Sequence, residues 1–458
     1  YASVNAMFEA LAEENLLTNW GSITYSDGVI SFNDKEILKP VVNVSFDNES
    51  REIQRGTSLT FTTDGYVTLS LKESTDGVSI ADNVLTVAAT VAEKTQIAVV
   101  ATSTLNESVT AEYTFTVIRS YEEVEIAEEL DFSLESESSS VTVTLEGTVE
   151  RVTSGTAEVT EGITYTEGTL TFTKSALNTL LNGSAYAEDL TLNIYTSADK
   201  KYVVTANIAT MFIDEAQDLA DITAANTAAM IDAYYIVTAD IDASTSGTVN
   251  FVNPSDKLLN SSTEIGFKGI FDGRGHIISN ITTDSGYARL GGVFGQLMTG
   301  SVVKNIAFVN VTATDQGVVL VGEGTKLLGT IENVVVVGAE NGGCKRVVAS
   351  MTGGVMKNCL FVNVEQISVD SNGTQVSNVM SVTTGENHAY GGFSWTGNNT
   401  YNAQPNYASV NAMFEALAEE NLLTDWGGIT YSGGTIKFYD TVILTAEASE
   451  TTGEVVSE

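Results

Sequence analysis

HIISNITTDS (276–285), SVVKNIAFVN (301–310), GTIENVVVVG (329–338), GVMKNCLFVN (354–363) and TQVSNVMSVT (374–383) share one pattern. Aligned on Asn280, Asn305, Asn333, Asn358 and Asn378, the residue after each Asn is apolar, and so is the residue two before it. The residue just before is Ser, Lys, Glu, Lys and Ser in turn. Positions two before and one after therefore read as inward-facing, and the position just before as outward-facing. The separations are 25, 28, 25 and 20 residues, the length of one circuit of a short-repeat solenoid. Equivalent residues of successive coils stack roughly 4.8 Å apart. Asparagine amides at one place in the coil can then bond along the column, so the five are expected to form a structural ladder rather than a catalytic set.

The chain is repetitive on a second scale. YASVNAMFEALAEENLLT opens it and returns at 407–424. Residues 1–38 align with 407–444 at an offset of 406, with 30 of 38 identical, and identity stops after Leu38 and Leu444. Val4, Met7, Phe8 and Leu11 recur at helical spacing, with Ser3 or Asn5 as N-cap. Ile23/Tyr25 and Ile30/Phe32 alternate about Gly28, which reads as a hairpin. A module of 38 residues is too small to bury a core alone and must pack on something.

Composition limits the function classes. The 458 residues carry 59 acidic and 21 basic side chains, a net charge of −38, with 39 glycines and 3 prolines. Such a balance argues against nucleic acid and against docking on anionic lipid. It suits a soluble protein exposed to divalent cations or high salt. Residues 256–400 carry a net charge of only −2, so a near-neutral module sits beside strongly acidic ones. No apolar run reaches eighteen residues, so no membrane insertion is expected. The missing initiator Met and signal peptide fit a processed segment of something longer.

Between the repeats, residues 40–118 alternate at period two (Val67, Leu69, Leu71; Ile97, Val99, Ala101; Tyr113, Phe115, Val117) and read as a β-sandwich. GVSIADNVLTVAATVAEKTQIAVVATS (77–103) resembles the central strands of bacterial immunoglobulin-like domains. KSALNTLLNGSAYAEDLTLNIYTSADKKYVVTANI (174–208) is similar to the same family, with a short helical turn between strands. Residues 234–282 look like the opening coil of right-handed β-helices in bacterial surface proteins. GGVFGQLMTGSVVKNIAFVNVTA (291–313) resembles the GLUG-type motif of large bacterial adhesins, and TGGVMKNCLFVNV (352–364) is a looser copy.

The expected fold is therefore mainly β. A helix-hairpin cap module (1–39) precedes two immunoglobulin-like sandwiches (40–120 and 121–213). A right-handed parallel β-helix with a leading helix (214–406), a second cap module (407–444) and an acidic tail or linker (445–458) follow. A β-helix must be covered against edge pairing, and the second copy is the natural cap.

Chemistry is sparse. His276, in FDGRGH, reads as a turn residue, because the acidic column that a polygalacturonase-type site needs is absent. Asp272 with Arg274 is the one compact pair for lyase-type chemistry. Asp240, Asp242 and Asp272 are weak calcium candidates, with solvated acidic faces preferred in the absence of a DxDxDG loop. Cys359 occupies the inward slot after Asn358, and no disulfide with Cys344 is expected. No catalytic or cofactor-binding residue is assigned. The expected role is a non-enzymatic, extracellular, cell-surface repeat unit of a fibre, sheath or surface-layer-like assembly, with copies of itself as partners, head to tail. The alternatives are a polysaccharide-degrading β-helix, or a glycan- or host-binding adhesin module using Phe393, Trp395 and Tyr401.

Overall fold

A computed structural model describes all residues except 15–16, 18–19, 226–231, 252–265, 284–290, 315–316, 322–328, 349–352, 366–374, 383–405, 408, 421, 425 and 447–458. The fold is mainly β. The chain divides into two compact units, Tyr1–Val124 with Tyr195–Lys201, and Glu125–Ile194 with Tyr202–Glu458.

In the first unit, helix Val4–Glu14 precedes a three-stranded antiparallel sheet of Ile23–Ser26, Val29–Phe32 and Lys35–Leu38. Of the two N-cap candidates, Ser3 takes the role: its Oγ accepts from Ala6 N at 3.0 Å. Asn5 lies inside the helix, fully buried, and its amide bonds both the N–H and the C=O of Val41 and also Asp64. Phe8 and Leu11 bury against Ile30, with Leu105 packed on the cluster.

Two sheets follow. One orders Ser58–Thr60, Val84–Val87 and Val78–Ala81; the other orders Glu52–Gln54, Thr110–Ile118, Gln96–Ser103 and Val67–Leu71. Inward residues of both share one core, Leu85 and Val87 from the first with Ile97, Val99, Phe115 and Val117 from the second. Strand Gln96–Ser103 buries every second residue, as a pleated strand with one core face must.

Next along the chain a five-stranded sheet (Glu122–Ser133, Lys200–Ala209, Ala187–Thr196, Val149–Ser154, Ala157–Val159) accompanies a three-stranded one (Ser138–Thr142, Thr169–Thr173, Ile163–Thr166). Phe132 and Phe172, both fully buried, meet edge to face at 5.1 Å. The helical turn expected within 174–208 is helix Lys174–Leu180, capped by Thr173.

From Met211 a run of parallel pairing begins. Met211–Ile213, Tyr234–Val237, Ile270–Asp272, Val302–Ala313, Thr330–Gly338, Val355–Val362 and Gln375–Val382 stack in sequence order, each parallel to the next. The stack opens with Met211–Ile213, slightly ahead of the boundary expected at 214. Its interior holds Ile278, Ile281, Val303, Ile306, Ile331, Val334, Met356, Cys359, Val376 and Val379, the residues two before and one after each asparagine. Asn406–Tyr407 adds a last parallel rung on Gln375–Val382 and leads into the second helix, Val410–Glu420.

Candidate functional site

The asparagines occupy a conformation that explains their residue type. Asn305, Asn333, Asn358 and Asn378 have φ of 54°, 58°, 53° and 53°. This left-handed region is costly for most side chains and tolerated by Asn, whose short amide bonds locally. At this corner Asn333 Nδ2 donates to Asn305 Oδ1 at 2.8 Å, and Asn378 Nδ2 to Asn358 Oδ1 at 2.9 Å. Asn305 Nδ2 in turn donates to Asp272 Oδ1 at 3.0 Å.

Asn280 does not stand in this column. Ser279 pairs with Val309, so Asn280 lies beside Asn310, whose amide donates to it. Asn280 itself donates to Asp242 at 2.8 Å. The alignment slips because the turn at 273–276 carries extra residues: Asp272 pairs with Lys304, but Ile277 pairs with Ala307. The sequence pattern around Asn280 is the same, yet it belongs to a second, shorter column.

The three aspartates considered for calcium serve three separate contacts. Asp240 accepts from Ile277 N and lies 3.1 Å from His276 Nδ1. Asp242 caps a short turn through Ser244 N and takes the Asn280 amide, which holds its carboxyl below the usual range. Asp272 is 1% exposed and accepts from Arg274 N and the Asn305 amide. Among the described residues no group of three or more His, Cys, Asp or Glu could hold a metal. His276 sits in the turn, its N–H donating to Gly273 O at 2.8 Å.

Arg274, the basic half of the lyase-type pair, is tied up in a polar corner. It donates to Glu129 and Asp131, each at 2.8 Å, and the same carboxylates accept from Asn207. Lys304 joins Glu188 and approaches Asp272 at 3.5 Å. The hydrogen bond from Arg274 outweighs burial and holds Glu129 below the usual carboxylate range. Both cysteines are free and buried, and burial pushes the thiols up, to about 11 for Cys344 and about 12 for Cys359. His388, Phe393, Trp395 and Tyr401 lie outside the described residues.

The principal surface of the stack is its outer face beyond the asparagine corner. Ala307, Val335, Leu360 and Met380 follow the inward residues by one position and point to the other side. All four are fully buried, because the second repeated module covers them. Met413, Phe414 and Leu417 from its helix, with Trp426, Ile429, Ile436 and Phe438 from its turn and strands, share a core with this face. Unbroken apolar runs such as NVVVV and NCLFV were the signal for strands covered on both faces.

Tyr439 locks the module onto the asparagine column. Its hydroxyl donates to Asn305 Oδ1 at 3.1 Å and accepts from Asn333 Nδ2 at 3.0 Å. Asn333 Oδ1 also accepts from Gly428 N at 3.0 Å. The ring fits because Gly275 and Gly428 lack side chains: a Cβ at either would lie 2.8 Å or 2.3 Å from it. In the first copy Ser22 stands at the place of Gly428 and Asn33 at that of Tyr439, two of the eight differences between the copies. Sequence reasoning passed over Tyr439, although this paired difference was visible.

No protein-family model matches the chain. Over 131 residues, 28% of the chain, it is 34% identical to halomucin of Haloquadratum walsbyi, and the match spans 1% of that protein's length. Among solved structures, a Bacteroides ovatus mixed-linkage glucan utilization protein, SGBP-B, bound to a heptasaccharide, aligns over 35% of the chain and 43% of its own, with 14% identity and a TM-score of 0.14. A tri-modular endo-beta-1,4-glucanase of Bacillus licheniformis aligns over 37% and 39%, with 12% identity and a TM-score of 0.15. No described helix is long and apolar enough to cross a membrane.

Proposed function

We propose that the chain is a non-enzymatic structural repeat unit of an extracellular surface protein, joined head to tail in a fibre, sheath or surface-layer-like assembly. In this reading the two-sheet regions are immunoglobulin-like spacers and the parallel stack is a right-handed β-helix. One observation carries it: a 38-residue module occurs twice at an offset of 406, and its second copy covers the parallel stack. A module whose apolar face is satisfied only by a stack is a joint between successive units.

The acidic composition and the similarity to a protein named halomucin support a place outside the cell. The non-enzymatic part is supported by the engagement of Asp272 and Arg274 in ion pairs with neighbouring side chains. Electron microscopy of native material, with immunogold labelling of intact cells, tests the reading. Labelled surface structures with a regular axial repeat are expected; label confined to the cell interior would overturn it.

A further inference from the structure

We infer that the first copy of the module carries a docking face, centred on Trp20, Phe32 and Ile37, for the outer face of a parallel stack belonging to a neighbouring repeat. This rests on the repeat-unit reading and adds the partner and the surface.

The two copies provide an internal comparison. Trp20 is 57% exposed and Phe32 49%, whereas their counterparts Trp426 and Phe438 are 2% and 0% exposed. Met7 and Ile23 are half-buried, whereas Met413 and Ile429 are fully buried. The residue types are identical and the local folds match, each a helix followed by a three-stranded sheet. What differs is the partner. In the second copy this face meets Ala307, Val335, Leu360 and Met380.

The other side of the first copy is already occupied. Gly28 lies so close to Leu105 that a Cβ there would fall 2.2 Å from its carbonyl oxygen. Asn5 is fixed to Val41 and Asp64. The module therefore has two sides: one seats on the sheets that follow it, and the other fits a stack. The chain's own stack is covered by its second copy, so the partner is a stack from another repeat.

The differences between the copies keep this face usable. A side chain at 428 would collide with Tyr439, but Asn33 in place of that tyrosine leaves room for Ser22. Asn33 brings an amide, which can pair with an asparagine column as the phenol does.

The test gives the second site the sequence of the first. In the full chain, with Trp20 and Trp395 replaced by Phe, eight substitutions are made: Asp425→Asn, Gly428→Ser, Gly433→Asp, Thr435→Val, Lys437→Ser, Tyr439→Asn, Thr441→Lys and Val442→Glu. Acrylamide quenching of Trp426 should stay at the value of the parent. A several-fold rise, to the accessibility of Trp20 in the unsubstituted chain, would overturn the proposal.

Should that variant not fold, the interaction is read in trans. Full chain with Trp426→Glu and Phe438→Glu, which frees its stack, should form a complex with unaltered chain in sedimentation. Trp20→Glu with Phe32→Glu in the latter should abolish that complex. Absence of a complex between chains of native far-UV spectrum would overturn the inference. Neither failure touches the surface location, which immunogold labelling decides separately.

Discussion

Trp20 and Trp426 hold the same position in the same repeated sequence, yet Trp20 stands 57% exposed and Trp426 is 2% exposed. No local interaction can account for this, because the flanking turn and strands recur in both copies. The difference comes from the parallel stack beneath the second copy. A side chain's burial is here a property of the partner surface, and the contrast predicts unequal responses to one substitution.

Phe438→Ala should cost about 3–5 kcal/mol in the local stability of the second module, the usual range for emptying a buried phenylalanine site. Phe32→Ala, at a half-exposed position, should change stability by no more than about 0.5 kcal/mol. Hydrogen exchange of helix Val410–Glu420 against helix Val4–Glu14 reads both. Equal losses would contradict the contrast in burial.

Tyr439 and Gly428 should behave as a coupled pair. Gly428→Ala alone forces a Cβ against the tyrosine ring and should loosen the second module. Tyr439→Asn alone removes the hydroxyl that bridges Asn305 and Asn333, at about 1–2 kcal/mol. Together they should cost less than their sum, since Asn leaves room for the added methyl. Additive losses in urea unfolding would argue against the contact.

Asn333 should be sensitive to backbone as well as to bonding. Asn333→Ala loses the bond to Asn305 and forces alanine into φ near 58°, for a combined cost of about 2–4 kcal/mol. Asn333→Gly should recover the backbone share but not the bonding share. If Ala and Gly destabilise equally in thermal unfolding, the left-handed corner is not the source of the effect.

Acid should weaken the corner that joins Arg274 to Glu129. The folded-state pKa of Glu129 lies below its ordinary value, so the pair stabilises the fold above that ordinary value. The contribution falls away as pH drops below about 4, through the depressed folded value. Glu129 is 44% exposed at its side chain, so the effect is modest and screened by salt. Glu129→Gln should flatten the stability profile between the two values; an unchanged slope in pH-dependent urea unfolding would count against it.

The thiols should be silent in the native protein. With pKa pushed to about 11 and about 12 inside the parallel stack, Cys344 and Cys359 carry little thiolate at neutral pH and are shielded from reagent. Both should label with a thiol reagent only after denaturant is added. Rapid labelling in buffer would mean that the stack opens readily.

Residue pattern alone determined the periodic features: the alternation in Gln96–Ser103, the amphipathic helix opening each copy, and the inward pairs flanking each asparagine. These follow from local geometry, which fixes which side chains share a face. It did not determine the column to which Asn280 belongs, because the extra residues at 273–276 shift pairing only once coils are stacked. Nor could it assign partners to the two copies of one module. Helix and hairpin geometry is encoded within those 38 residues, but burial of their apolar face depends on which surface the rest of the chain brings to it. Thus the sequence specified two equivalent modules, and tertiary packing on the parallel stack made Trp426 core while Trp20 stayed at the surface.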